Sequence, residues 1–131
     1  MTYTPEEILS ISYKGLIEQG GPSTDYYNLC LYRGPGNRKC AIGHLIPDNL
    51  YKAEFEKLTI RLLIEKFPQI PPLFGENIDL AKRIQDIHDS AYRHNEDSPE
   101  KWCEYITKEY RETAQEFNID WSPECLTKTM P

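Results

Sequence analysis

CLYRGPGNRKCAIGHLIPD, residues 30–48, holds two of the four cysteines, one of the three histidines and a glycine-proline turn flanked by basic groups. How it folds decides the architecture. Residues 29–33 (LCLYR) form one short apolar run and KCAI a second, with GPGN between them as a turn signal. This pattern predicts a β-hairpin over about residues 29–42. With Pro35 and Gly36 at the turn centre, Arg33 faces Arg38 and Leu31 faces Cys40. Cys30 and Cys40 then point to opposite faces, and a slip of one residue brings them together.

Outward from this stretch the chain reads as helical. Thr4, Pro5 and Glu7 supply a cap, a first-turn proline and a capping box. Ile8, Leu9, Ser12, Tyr13, Leu16 and Ile17 follow at helical spacing, and Gly20-Gly21 ends the helix. Leu58, Leu62, Leu63 and Phe67 mark a second helix stopping at Pro68. The run QIPPLFGEN reads as a stiff non-helical connection, because it carries paired prolines. A third helix spans about Ile78 to Tyr92, with Leu80, Ile84, Ile87 and Ala91 as its buried stripe. Ser98 and Pro99 open a fourth, along Trp102, Tyr105, Ile106, Tyr110, Ala114 and Phe117, closed by a left-handed Asn118. The expected fold is mainly α with an α+β element: about four helices around one short hairpin. One domain is expected over 1–119, with a tail over 120–131 whose Trp121 docks on the body.

A chain of 131 residues suits one domain with its own core. The formal charge of -6 argues against bulk nucleic-acid binding, which needs a basic footprint. The acids are interleaved with lysines and arginines rather than massed, so nucleic-acid mimicry is also disfavoured. No stretch has the length of a membrane span and the start lacks a signal pattern, so a cytoplasmic location is expected.

Three chemistries are open to the central stretch. Cys30, Cys40 and His44, at C-x9-C-x3-H spacing, are soft and borderline donors for zinc, with His88 as a further candidate. The spacing matches no standard finger, and Cys103 and Cys125 stand alone. Cys40 with His44 or His88, oriented by Asp48 or Asp89, has the parts of a cysteine hydrolase. Arg33, Arg38 and Lys39 around the turn could bind an anion, with Tyr26, Tyr27 and Tyr32 near enough in sequence to stack on a base. The residues expected to meet a ligand or partner are Tyr32, Arg33, Arg38, Lys39, His44, Asp48 and Tyr51. Asp48 is expected to cap the next turn or pair with an arginine, and His88 to sit hydrogen-bonded at the core edge.

Cys30-x-Tyr32-Arg33-Gly34, followed by Lys39-Cys40-Ala41-Ile42-Gly43-x-Leu45-Ile46-Pro47-Asp48-x-x-Tyr51, resembles a signature of a family of small, uncharacterised bacterial and phage proteins. Pro71-Pro72-Leu73 resembles the family's proline-rich connection. Leu80 through Ile87-His88-Asp89 resembles its L…Q-x-I-H-D helix, and Trp102 its following tryptophan. The likeness covers most of 1–119. It implies a bacterial or phage setting and a stand-alone domain. It also implies that Cys30, Arg33, Cys40, Asp48, Tyr51, His88 and Asp89 belong to one constellation. The chain departs from the pattern after Tyr51, where KAEFEKLTIRLLIEKF replaces a shorter acidic loop and could form a partner surface of its own.

The function expected from these readings is a small non-enzymatic binding protein, phage-encoded as the resemblance implies. It would inhibit a host protein, in one version a defence protein, or sequester a small anionic or nucleotide ligand. The alternative is a cysteine- or zinc-dependent hydrolase at Cys40, His88 and Asp89. No cofactor is expected unless zinc is held. A homodimer through the helices is a further possibility.

Overall fold

The computed structural model of the protein describes residues 2–25, 29–95 and 98–123. Five α-helices lie among them: α1 (Pro5–Gln19), α2 (Ile60–Lys66), α3 (Pro71–Phe74), α4 (Ile78–Asn95) and α5 (Pro99–Glu116). None is long and apolar enough to cross a membrane. The local signals of α1 act as the sequence indicates. Thr4 accepts from Glu7 N, the Glu7 carboxylate takes the Thr4 amide, and Gly20 closes the helix at φ 73. Ser98 caps α5 by accepting from Lys101 N. Asn118 takes the left-handed conformation at φ 54.

One amphipathic face of each long helix enters a single core. Leu80, Ile84, Ile87 and Ala91 from α4 meet Trp102, Ile106, Tyr110 and Ala114 from α5 and Ile8, Leu9 and Leu16 from α1. Polar tips at this junction are all partnered. The Trp102 indole donates to Leu16 O at 2.8 Å, and the Tyr110 hydroxyl to Ser12 Oγ at 2.8 Å. Trp121 docks as expected, its indole donating to Ser10 Oγ at 2.8 Å.

Two expectations fail. The paired prolines start a helix rather than exclude one: α3 opens on Pro71 and Pro72, first-turn positions whose missing N–H groups have no intrahelical partner anyway. The β-hairpin is absent, and with it the α+β element. No β-strand occurs among the described residues, whose one strand-like contact is an isolated antiparallel bridge between Thr24 and Cys30. The GPGN turn does form, with the Gly34 amide donating to Arg38 O at 2.7 Å. After Lys39, however, the chain winds into helical turns instead of returning as a strand. His44 N donates to Cys40 O, and Leu45 N and Ile46 N to Ile42 O, at 3.1, 2.9 and 3.2 Å.

Cys40, Ala41, Ile42, Leu45 and Ile46 are all buried, a nearly continuous run rather than the alternation of a half-covered strand. Two close approaches hold this turn in place. A Cβ on Gly43 would fall 2.4 Å from Tyr32 O, and one on Gly15, in mid-α1, would fall 2.3 Å from the His44 ring.

A buried irregular segment must find partners for its backbone, and here side chains from elsewhere supply them. Glu56 accepts from Tyr32 N at 2.9 Å and Arg33 N at 3.1 Å, where a paired strand would have offered carbonyls. Gln19 accepts from Lys39 N and donates to Lys39 O, at 3.0 and 2.8 Å. Gln85 accepts from Ile42 N at 3.0 Å. Ser23 Oγ donates to Leu31 O at 2.7 Å and lies 3.2 Å from Arg38 O.

Candidate functional site

The residues singled out by sequence separate into two neighbouring clusters and one outlier. The first cluster is built on Arg33. Its guanidinium donates to Gly43 O and Ile46 O, each at 2.7 Å, and to Tyr32 O at 3.2 Å. It also meets Asp48 at 3.1 Å and lies 4.7 Å from the centre of the Tyr51 ring. The Tyr51 hydroxyl donates to Glu56 at 2.6 Å. Partial burial and that hydrogen bond push the phenol up to about 12. Asp48 pairs with an arginine, as its sequence context suggests. The Arg33 fork is spent on carbonyls of its own chain.

Arg38 reaches Pro22 O at 3.3 Å and lies against Gly21, and Lys39 sits 3.9 Å from Asp48. Tyr32 is buried, its hydroxyl donating to Leu58 O at 2.6 Å. Tyr26, Tyr27 and Cys125 lie outside the described residues.

His44 is the outlier. Its ring lies on Gly15 with Nε2 2.9 Å from Gln19 Oε1, and it is not among the residues whose donor atoms gather with Cys30. Burial, then Lys39, His88 and Arg33, lower it to about 4. It therefore does not complete the zinc set expected with Cys30 and Cys40.

The second cluster gathers Cys30, Cys40, Gln85, His88 and Asp89. Cys40 lies near enough to Cys30 to be the largest influence on its thiol, without a hairpin register. Donor atoms of Cys30, His88 and Asp89 lie within 4.8 Å of one another. The Gln85 amide donates both to Cys30 Sγ at 2.9 Å and to Asp89 Oδ1 at 3.0 Å. His88 is buried between Asp89 Oδ1, 3.0 Å from Nδ1, and the Ser23 amide, which donates to Nε2 at 2.9 Å.

These partners determine what the cluster can do. The contact with Cys40, followed by burial, pushes the Cys30 thiol strongly up, away from the thiolate that a nucleophile or metal ligand requires. Burial opposes a charged His88, while Asp89 and Cys30 favour it and on balance raise it. The Ser23 N–H works against that charge, because a proton on Nε2 would meet it head-on. The hydrogen bond decides, since it is a direct contact on the titrating atom: His88 is the neutral tautomer protonated at Nδ1.

A catalytic triad needs the base to offer one nitrogen to the nucleophile and the other to its orienter. In His88 Asp89 takes one and the backbone takes the other. Zinc fits no better. Bound at Nδ1, it would require the neutral ring to carry its proton on Nε2, against the Ser23 donor, whereas ligating histidines normally give that proton to an acceptor. Bound at Nε2, it would displace the amide. The residues as arranged do not suit zinc.

Cys30 and Asp89, with Asp25, also line an open cleft of about 670 Å³. One wall is the chain from Leu29 to Tyr32. Lys57 to Arg61, around the start of α2, form another. The third is the face of α4 bearing Lys82, Gln85, Asp86 and Asp89. Of the seven expected contact residues, only Tyr32 lines this cleft. Residues 82, 85, 86 and 89 share a helix face by their spacing, a signal readable in the sequence. What lies opposite them is not. Lys57, Arg61 and Lys82 form no ion pair among the described residues, whereas Arg33, Lys39 and Arg83 all do. Lys57 holds a left-handed backbone at φ 71, unusual for a lysine.

Comparisons with family models, with curated proteins and with solved structures found no match.

Proposed function

We propose that the protein is a small non-enzymatic binding protein that sequesters a small anionic ligand in the cleft between residues 29–32, α2 and α4. The observation that carries this reading is the charge on the walls. Three cations without ion-pair partners among the described residues, Lys57, Arg61 and Lys82, line the cavity beside three carboxylates. Of these, Asp25 accepts from Leu29 N and Asp89 is engaged by Gln85 and His88, while Arg33, Arg38 and Lys39 near the central stretch are tied to the chain itself. The cavity volume falls in the range of small-molecule sites. The α2 wall belongs to the segment 52–67, where the chain departs from the phage and bacterial pattern it resembles, so ligand choice would be its own. The neutral Cys30 thiol and the doubly engaged His88 weigh against the hydrolase alternative. A phage or bacterial setting, and action against a host protein, are proposals that rest on the resemblance alone.

The test is native mass spectrometry of the reduced protein with inorganic phosphate, pyrophosphate, citrate and nucleoside monophosphates at millimolar concentration. A 1:1 complex with at least one of them, lost in the Lys57→Glu/Arg61→Glu double variant, is expected. No complex with any member of the panel, or one that survives the charge reversal, would contradict the reading.

A further inference from the structure

The cleft carries more than positive charge. Three carboxylates line it with Lys57 and Arg61: Asp25 accepts from Leu29 N, Asp89 is engaged by Gln85 and His88, and Asp86, exposed on α4 one turn from Lys82, forms no ion pair among the described residues. Also lining the cleft is Leu29, 57% exposed and, among the described residues, the more exposed of two large apolar side chains that face solvent. Leu58 lines the same cavity. Cations, three carboxylates of which Asp86 is left as an acceptor, and an apolar surface are thus gathered in one cavity.

We propose that the ligand is a ribonucleotide, with its phosphoryl group at Lys57 and Arg61, its ribose hydroxyls donating to Asp86, and its base against Leu29 and Leu58. This rests on the reading of the cleft as a small-anion site and names the anion's class. A phosphoryl group alone would leave the carboxylate facing an anion. A sugar phosphate would satisfy the carboxylate and leave Leu29 in water. A free amino acid is much smaller than the cavity. A nucleotide has all three matching parts. A polynucleotide is disfavoured by the net charge of -6.

The conformation of Lys57 fits an anchoring role. Its left-handed backbone lies between Glu56, held by the amides of Tyr32 and Arg33, and Leu58, whose carbonyl accepts from Tyr32. The position is fixed from both sides, so the ammonium is presented to the cleft by backbone geometry.

Isothermal titration of the full chain with the four ribonucleoside 5′-monophosphates, ribose 5-phosphate, inorganic phosphate and a 2′,3′-dideoxy monophosphate tests this. At least one ribonucleotide should bind ten times or more tightly than ribose 5-phosphate. Lys57→Ala and Arg61→Ala should each weaken it about tenfold. Asp86→Ala should weaken the ribonucleotide several-fold and leave the dideoxy analogue unchanged. Equal binding of ribose 5-phosphate and nucleotide, or equal loss for both sugars in Asp86→Ala, would overturn the nucleotide assignment while leaving the small-anion reading standing. Absence of binding by every probe would overturn both.

Discussion

α4 and the segment 29–48 are both buried against the same core, and they satisfy their backbones in opposite ways. α4 carries its hydrogen bonds within itself and needs its neighbours only for apolar contact. The central segment has little regular structure of its own. Gln19, Ser23, Arg33, Glu56 and Gln85 hold its amides and carbonyls, side chains drawn from α1, α4 and the loops. A helix tolerates loss of one surface side chain. A segment held by side chains should not, since each loss strands buried polar groups.

The largest contrast is expected between two arginines. Arg33→Ala removes the donor for the carbonyls of Gly43 and Ile46 and should cost about 3 kcal/mol in urea unfolding. Arg83→Ala breaks two ion pairs, each at 3.6 Å, between α4 and α5, and should cost no more than about 1 kcal/mol. Equal losses would erase the distinction.

Next comes a reversal of sign. Replacing a mid-helix glycine with alanine ordinarily stabilises by about 1 kcal/mol. Gly15→Ala should instead destabilise by about 2 kcal/mol, because the new methyl meets the His44 ring. Thermal unfolding reads the direction.

Acid sharpens the same contact. His44 is held neutral, with its folded value lowered to about 4 from an ordinary 6.5. Unfolding lets the ring take a proton more readily, so its contribution is full above about pH 6.5 and is lost as pH falls toward 4. Discounted for partial exposure, the loss should be about 1 kcal/mol. A urea midpoint that stays flat across that window in the wild-type chain, or an equal slope in His44→Gln, would contradict the assignment.

The smallest effect is a gain. Lys57→Gly should relieve the left-handed backbone and stabilise the fold by about 1 kcal/mol. It should weaken ligand capture at the same time, and a gain in both would separate the strain from the site.

The two regions also differ in how far the sequence discloses them. The limits of α1 and α5 are written in adjacent residues: Thr4 with Glu7, Gly20, Ser98 with Pro99, Asn118. The apolar stripe of α4 follows from spacing alone. The central segment has a real turn at Gly34–Arg38, and that turn suggested a hairpin. What replaces the partner strand is Glu56, Gln19 and Gln85, and their approach depends on tertiary packing that no local pattern encodes. Pro71-Pro72 misleads for a local reason, since the same pair that blocks a helix interior suits its first turn.

The site divides similarly. The polar face of α4 at 82, 85, 86 and 89 is periodic and readable. The basic wall at Lys57 and Arg61 becomes part of a site only when the start of α2 is placed beside α4. The sequence leaves Asp48 a choice between a cap and an arginine, and does not show that its partner Arg33 supports the backbone rather than a ligand surface.

The central claim is that side chains stand in for a missing strand. Native-state hydrogen exchange by NMR tests it at the amides of Tyr32, Arg33, Lys39 and Ile42. The account expects all four to exchange as slowly as the core amides of α4, and Glu56→Ala to release Tyr32 and Arg33 while sparing Ile42. Exchange of these amides at the rate of an open surface loop in the wild-type chain would contradict it.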